Sequence, residues 1–295
     1  MRLALAAVVV LTALVGPRLA GAFVPPLLGA PTASSMALIP ATTANLGGSR
    51  TAGSESFHSP ENPVALRAFH IDRTEVTVGA YSRCVAAGTC PPPNIVDCEV
   101  HAGTMYGIAG RESYPMSCVS YDEAERYCRF VNKRLPTGPE WEVALRGPQL
   151  FTFPWGNELP APGRTNGCDH RCAIEASAAT GSNYEPVWSD KDFDDGFAFS
   201  APVGTFVGDM SPYGVLDLAA NVAEWTDPKG EPSDLGGAIA YSLPAGVASQ
   251  GMKQVRGGSW ATNVYSTMTF AGRDTVDGAF RGAWVGFRCA RDAAP

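Results

Sequence analysis

Three sets of side chains could do chemistry: eight cysteines, four histidines and two groups of acid and amide residues. Cys84, Cys90, Cys98, Cys118, Cys128, Cys168, Cys172 and Cys289 are even in number. Such a set closes disulfides in an exported chain and binds metal or reacts in a reducing compartment. Cys168-x-x-x-Cys172, with His170 between, has a spacing that zinc knuckles use. Yet His58, His70, His101 and His170 form no cluster that would complete a tetrahedral nitrogen and sulfur set, so zinc is not expected. Asp190-Lys-Asp-Phe-Asp-Asp-Gly196 opens like an EF-hand loop and fails on register: position six is Asp195 instead of Gly, and position twelve is Ala201 instead of Glu. The sequence has no Gly-x-Ser-x-Gly elbow, P-loop or dinucleotide fingerprint with its required helix, and Gly257-Gly258-Ser259 reads as a tight turn.

The compartment follows from the first residues. Met1-Arg2, an apolar run from Leu3 to Val15 and the small residues Ala20-Gly21-Ala22 spell a cleavable signal peptide over 1–22. The run is shorter than the roughly 20 residues that span a bilayer, and no later segment is long and apolar enough, so no membrane span is expected. The protein is therefore expected to be secreted or periplasmic, with disulfides as the fate of its cysteines. Loss of Arg2 and Arg18 takes the formal net charge from −7 to −9. An acidic exterior repels nucleic acid and anionic lipid, which excludes both as partners.

The elements that must position these residues lie further on. Residues 23–65 are rich in Pro, Ala, Ser, Thr and Gly and poor in large apolar side chains, a composition that predicts a flexible segment. The folded domain is expected over 66–292, beginning with a strand at Ala68–Asp72. A first helix should start at Thr77 and stop at Gly88, with Tyr81, Cys84 and Val85 on its inner face. A second should start at the capping box Ser120 to Glu123, with Ala124, Tyr127, Cys128 and Val131 as its buried stripe. A third repeats the device from Thr137 to Glu140, turns Trp141, Ala144 and Leu145 inward and ends at Gly147. Beyond Gly147, short runs broken by Gly, Pro, Asn and Asp predict loop-rich β structure, and no solenoid repeat is present.

Seven landmarks fall in one order across Ala68 to Arg291. They are Glu75-Val-Thr77, Val119-Ser-Tyr-Asp-Glu-Ala124, Lys133-Arg-Leu-Pro-Thr-Gly-Pro-Glu-Trp-Glu142, Pro154-Trp-Gly-Asn157, Asn221-Val-Ala-Glu-Trp225, Arg256-Gly-Gly-Ser-Trp260 and Gly286-Phe-Arg-Cys289. In that order they resemble the formylglycine-generating enzyme, or sulfatase-modifying factor, superfamily, and in particular a bacterial exported member. The resemblance implies an α+β fold, a variant of the C-type lectin fold, loop-rich and disulfide-stapled; a monomer is expected, although sequence does not fix the oligomeric state. It also implies a Cys128–Cys289 bridge. Proximity along the chain then suggests Cys84–Cys90, Cys168–Cys172 and Cys98–Cys118, although sequence alone leaves other pairings open.

The resemblance further implies two calcium sites. One would use Asn166, Gly167, Asp195 and Phe197, and the other Asn221 and Glu224, with Ala219 and Ala223 departing from the residues usual beside the second. Calcium takes six to eight hard oxygens, which loop carbonyls and carboxylates supply. The competing reading is that these residues are turn formers. In the copper oxidases of the family, two cysteines stand third and eighth after Gly-Gly-Ser; here Thr262 and Thr267 occupy those positions. A protonated hydroxyl is a hard, weak donor and cannot replace a thiolate on Cu(I), so copper is not expected. Other branches place iron on histidines from a separate domain that this sequence does not show, and no 2-His-1-carboxylate spacing is present. Ser259, Trp260, Trp225 and Arg273 match positions that line the family groove; core packing is the competing reading for both tryptophans.

Three functions stay open at this level, since fold does not imply function. The first is a calcium-stabilised binding module without oxidase activity, taking an exported protein, a peptide or a glycan in the inherited groove. The second is an enzyme of the same superfamily with a non-standard active site, such as a metal-dependent oxygenase. The third, a true formylglycine-generating oxidase, is opposed directly by Thr262 and Thr267.

Overall fold

Order begins earlier than composition predicts. The structure, a computed structural model, describes residues 36–188, 190–230, 243–244 and 246–294. The expected signal peptide and residues 23–35 lie outside these. From residue 36 the chain forms strands β1 (Met36–Ile39), β2 (Thr42–Ala52) and β3 (Glu55–Leu66), so the flexible segment expected over 23–65 is corrected from residue 36 onward. β2 and β3 pair antiparallel as one long ribbon whose register shifts between Leu46 and Gly48.

A ribbon this polar is marginal alone, because two strands bury little. Two features hold it. Leu46, Ala52 and Phe57 are buried, and Phe57 meets Phe153 edge to face. At the register shift, the Gly47 N–H donates to Glu142 Oε1 (2.7 Å) while Arg146 Nη1 donates to the Gly47 carbonyl (3.0 Å). Gly47 has φ +72°, and a Cβ there would stand 2.0 Å from the Pro60 carbonyl oxygen, so no other residue fits this clasp.

The three expected helices form. α1 (Val78–Ala86) is capped by Thr77, whose hydroxyl accepts from the Ala80 N–H. α2 (Tyr121–Phe130) and α3 (Gly138–Arg146) both start with complete capping boxes, at Ser120 with Glu123 and at Thr137 with Glu140. Gly88 and Gly147 take the positive φ expected at helix ends. α3 differs from expectation in one respect. It is buried on all sides, and its acid and base survive burial because Glu142 and Arg146, one turn apart, pair at 2.8 Å.

β4 (Phe69–Asp72) lies between β1 and β9 (Ala290–Asp292) in a three-stranded sheet, which brings the two ends of the described chain together. The second sheet runs β7 (Arg273–Asp277), β6 (Met252–Arg256), β5 (Ala223–Thr226) and β8 (Val285–Gly286), with β5 and β8 parallel. One core gathers Tyr81, Tyr127, Trp225 and Phe287 under α1 and α2; the other gathers Phe69, Ile71, Trp141, Phe153 and Phe270 around α3. All four expected disulfides are present: Cys84–Cys90, Cys98–Cys118, Cys128–Cys289 and Cys168–Cys172. The third spans 161 residues, and closing so long a loop is worth roughly 5 kcal/mol in the chain-entropy picture. The architecture is the loop-rich, disulfide-stapled α+β fold expected. Among the described residues, no helix is long and apolar enough to cross a membrane.

Candidate functional site

The turn after β6 builds the site. At Gly257-Gly258-Ser259 the chain leaves the sheet, and Gly258 is pressed so close that a Cβ would meet the Ala219 carbonyl oxygen at 2.7 Å. The Ser259 N–H then donates to Thr262 Oγ1 (2.8 Å), while the Thr262 N–H returns to the Ser259 carbonyl (2.9 Å). A 3₁₀ turn at Tyr265–Met268 brings Thr267 back, so that the Thr262 and Thr267 hydroxyls lie 3.3 Å apart. The Thr267 hydroxyl also lies 3.0 Å from the Val264 carbonyl. Positions five residues apart thus converge as a metal pair must, but the groups presented are two neutral hydroxyls that satisfy each other and the backbone.

A cavity of about 350 Å3 opens beside them. Ser259, Thr262 and Thr267 line one side; Glu99, Tyr184, Asp274 and Trp284 line the rest. Burial pushes the Asp274 carboxyl above the usual range, and Trp284 Nε1 donates to Glu99 Oε2 (3.1 Å). Ser259 is where the sequence placed it. Trp260 and Trp225 are not on the wall: both are fully buried, with their indole N–H groups on the carbonyls of Ala283 (3.2 Å) and Val119 (3.0 Å). This corrects the groove reading for both tryptophans, whose hydrogen-bonded rings are core. Trp260 acts from beneath, touching Tyr184 and Phe199. Arg273 is partly buried on β7, beside Asp274, and does not line the cavity. Sequence reading missed Asp274 and Tyr184; with Arg273 taken as a groove residue, strand alternation would have turned Asp274 away from it.

The residues expected to hold calcium do not assemble as two sets. Glu224 accepts from Arg288 at 2.6 and 2.7 Å and from Trp141 Nε1 at 3.0 Å, all in the interior. Asn221 Oδ1 accepts from Asn166 Nδ2 (2.9 Å) and the Ala201 N–H (2.8 Å), and Asn221 Nδ2 donates to Glu75 Oε1 (2.9 Å). A guanidinium already neutralises Glu224 and the Asn221 amide is fully engaged, so this pair does not fit a cation. In the other set, Asn166 is turned toward Asn221 and the Phe199 carbonyl, and Gly167 packs under Met268. Asp195 instead meets Asp169 and Asp194: one carboxylate oxygen from each lies within 4.8 Å of the others. Asp169 accepts the Asp195 N–H (2.6 Å), and Asp195 Oδ1 accepts the Phe197 N–H (2.9 Å). Burial, reinforced by the Asp169 charge, pushes Asp195 up to about 7, while Asp195 Oδ2 is buried without a hydrogen bond. Asp194 is held low by Arg171, which grips it with two hydrogen bonds. Oxygen donors with surplus negative charge fit a hard cation, so Asp195 remains a candidate ligand in company that sequence reading did not foresee.

A second acidic group lies in the interior. Glu75, Asp209, Asp217 and Glu224 are buried around the single guanidinium of Arg288, and burial raises all four carboxyls, Glu75 and Asp209 well above their usual range. Sequence analysis placed Glu75 in a landmark without foreseeing this.

Residues 29–293 match the family described as sulfatase-modifying factor enzyme 1-like domain. The chain belongs to this family. It is similar to "Inactive C-alpha-formylglycine-generating enzyme 2" of Bos taurus, 32% identical over 204 residues, or 65% of this chain and 55% of that protein. It is also similar to the "Formylglycine-generating enzyme" of Streptomyces coelicolor, 27% identical over 272 residues, or 80% and 82%. This member of the family spans about half the length of the inactive mammalian relatives it matches. Among solved structures, PvdO from Pseudomonas aeruginosa shares the family fold with a TM-score of 0.60 at 21% identity, covering 88% of this chain and 94% of that one.

Proposed function

We propose that this member of the sulfatase-modifying factor family is an exported binding module without formylglycine-generating oxidase activity, and that its ligand enters the cavity beside Thr262 and Thr267. The observation that carries this reading is the hydroxyl pair, 3.3 Å apart, at the positions where the copper-dependent members present thiolates. Hydroxyls remain protonated at neutral pH and give Cu(I) no soft ligand. Similarity to relatives named inactive supports the same reading. Export is supported by the N-terminal pattern and by eight cysteines closed as four bridges. A calcium ion would be structural, held by Asp169, Asp194 and Asp195, and would neutralise a carboxylate group that otherwise retains a proton.

The test is to incubate the disulfide-bonded protein with copper, oxygen and a Cys-x-Pro-x-Arg peptide, and to follow the peptide cysteine by mass spectrometry with metal analysis of the same sample. An unchanged cysteine and no stoichiometric copper are expected. Formylglycine in the peptide would show an oxidase with another copper site. Calcium is tested by thermal melting with calcium and with chelator: a higher melting temperature with calcium, abolished by Asp195→Asn, is expected.

A further inference from the structure

The cavity beside Thr262 has a charge as well as a shape. Among the described residues, its lining contains two carboxylates, Asp274 and Glu99, and no Lys, Arg or His. They stand on separate elements, Asp274 on β7 and Glu99 on the loop tied by Cys98–Cys118. Asp274 is partly buried, and its carboxylate has neither a hydrogen bond nor an ion pair among the described residues. Its cross-strand partner is Val255, which brings no cation. Strand alternation turns the neighbouring Arg273 toward the opposite face. Glu99 is exposed at the rim, with one oxygen taken by Trp284 Nε1. A carboxylate removed from water without a partner is costly, and a ligand cation that enters recovers that cost as a charge-assisted bond.

Other features of the wall favour the same ligand. Tyr184 and Trp284 present aromatic rings, whose faces attract cations. Tyr184 is braced from below by Trp260, with centroids 5.6 Å apart, so this ring is set before any ligand arrives. The hydroxyls of Ser259 and Thr267 retain lone pairs that can accept from N–H donors. The whole chain carries a formal charge of −7, which steers cations inward and anions away.

We infer that the cavity binds a cationic nitrogen group at the end of a flexible aliphatic stem, with Asp274 as its counter-ion and Glu99 as the rim acid. The inference rests on the reading of this cavity as a binding site and adds the class of ligand. Two sources carry such a group: a Lys or Arg side chain of a partner protein, and a small aliphatic amine.

The experiment titrates the full disulfide-bonded chain, by calorimetry, with four probes: a capped Gly-Ser-Lys-Ser-Gly peptide, its Nε-acetylated form, the Arg counterpart and cadaverine. Saturable binding of a cationic probe is expected, with a loss of about tenfold on acetylation and a similar loss in Asp274→Asn. Glu99→Gln, at an exposed position and with an amide oxygen that still accepts from Trp284, should weaken binding about twofold to threefold and flatten its salt dependence. Tighter binding of the peptides than of cadaverine assigns the group to a protein side chain; the reverse assigns it to a free amine. Binding that ignores acetylation and both substitutions, or no binding of any cationic probe, overturns the inference. The outcomes separate from those of the copper assay: formylglycine formation would overturn the binding-module reading without touching the charge preference, and charge-blind binding would do the opposite.

Discussion

Two acidic regions of this molecule are resolved in opposite ways. Around Arg288 the acids are closed in on themselves: Glu224 takes the guanidinium side-on, and Glu75 and Asp209 are pushed toward keeping their protons. At the cavity wall, Asp274 has no such partner. Charge in the first region is spent on holding β5, β8 and the β4 end in one arrangement, since Arg288 also donates to the carbonyls of Asp72, Leu216 and Asp217. Charge in the second is left over, and unspent charge at a surface opening is what a binding site requires. The difference separates residues that make the fold from residues that face outward to a ligand, although both are Asp and Glu.

The comparison can be broken most severely at Arg288. Arg288→Met leaves Glu224 buried without its cation and should cost about 3–5 kcal/mol in chemical denaturation. Glu142→Gln weakens the buried pair with Arg146 and the clasp on Gly47, and a loss of about 2–3 kcal/mol is expected. Limited proteolysis of that variant should cut within the β2–β3 ribbon first. Titration sharpens the contrast. Glu75 and Asp209 have folded pKa values raised above ordinary values of 4.5 and 3.8, so the folded state holds protons that the unfolded state releases. Their stabilisation is complete below about pH 4 and is lost as pH rises through the raised values. Melting temperature in calcium-free buffer should therefore fall from pH 5 to pH 8, and Glu75→Gln should reduce the slope. The smallest effect belongs to Asp274→Asn. It removes no contact within the fold and should leave stability within about 0.5 kcal/mol of the parent, a change that denaturant titration can bound.

Local grammar carried much of the fold. Ser120 with Glu123 and Thr137 with Glu140 announce two helix starts because a capping box is satisfied within four residues. The Cys128–Cys289 bridge was legible through resemblance; the burial of Phe287 in a core and the entry of Arg288 into the acidic interior were not. The β2–β3 ribbon was not legible. Its order comes from Glu142 and Arg146, some 95 residues away, and composition does not report a clasp made by a distant helix. For the site, Thr262 and Thr267 could be placed through the family resemblance, at the third and eighth positions after Ser259, and they converge. Asp274 could not be found in this way, because an unpaired acid looks no different in sequence from a paired one. Trp260 was misassigned for a related reason: its position beside Ser259 is fixed by sequence, but the direction of its ring is fixed by the Ala283 carbonyl.

The three-stranded sheet gives the protein a mechanical character. β1 and β9 flank β4, so tension applied across the two ends of the described chain loads this one small sheet before any other element. Behind it, the Cys128–Cys289 bridge removes the 161-residue span between those cysteines from the length that can be drawn out. Pulled from its ends under oxidising conditions, the molecule would release the chain before Cys128, the Glu99 rim of the cavity included, and then stop, with Ser259, Thr262, Thr267 and Asp274 still inside an unopened covalent ring; under reducing conditions the same pull would run on through them.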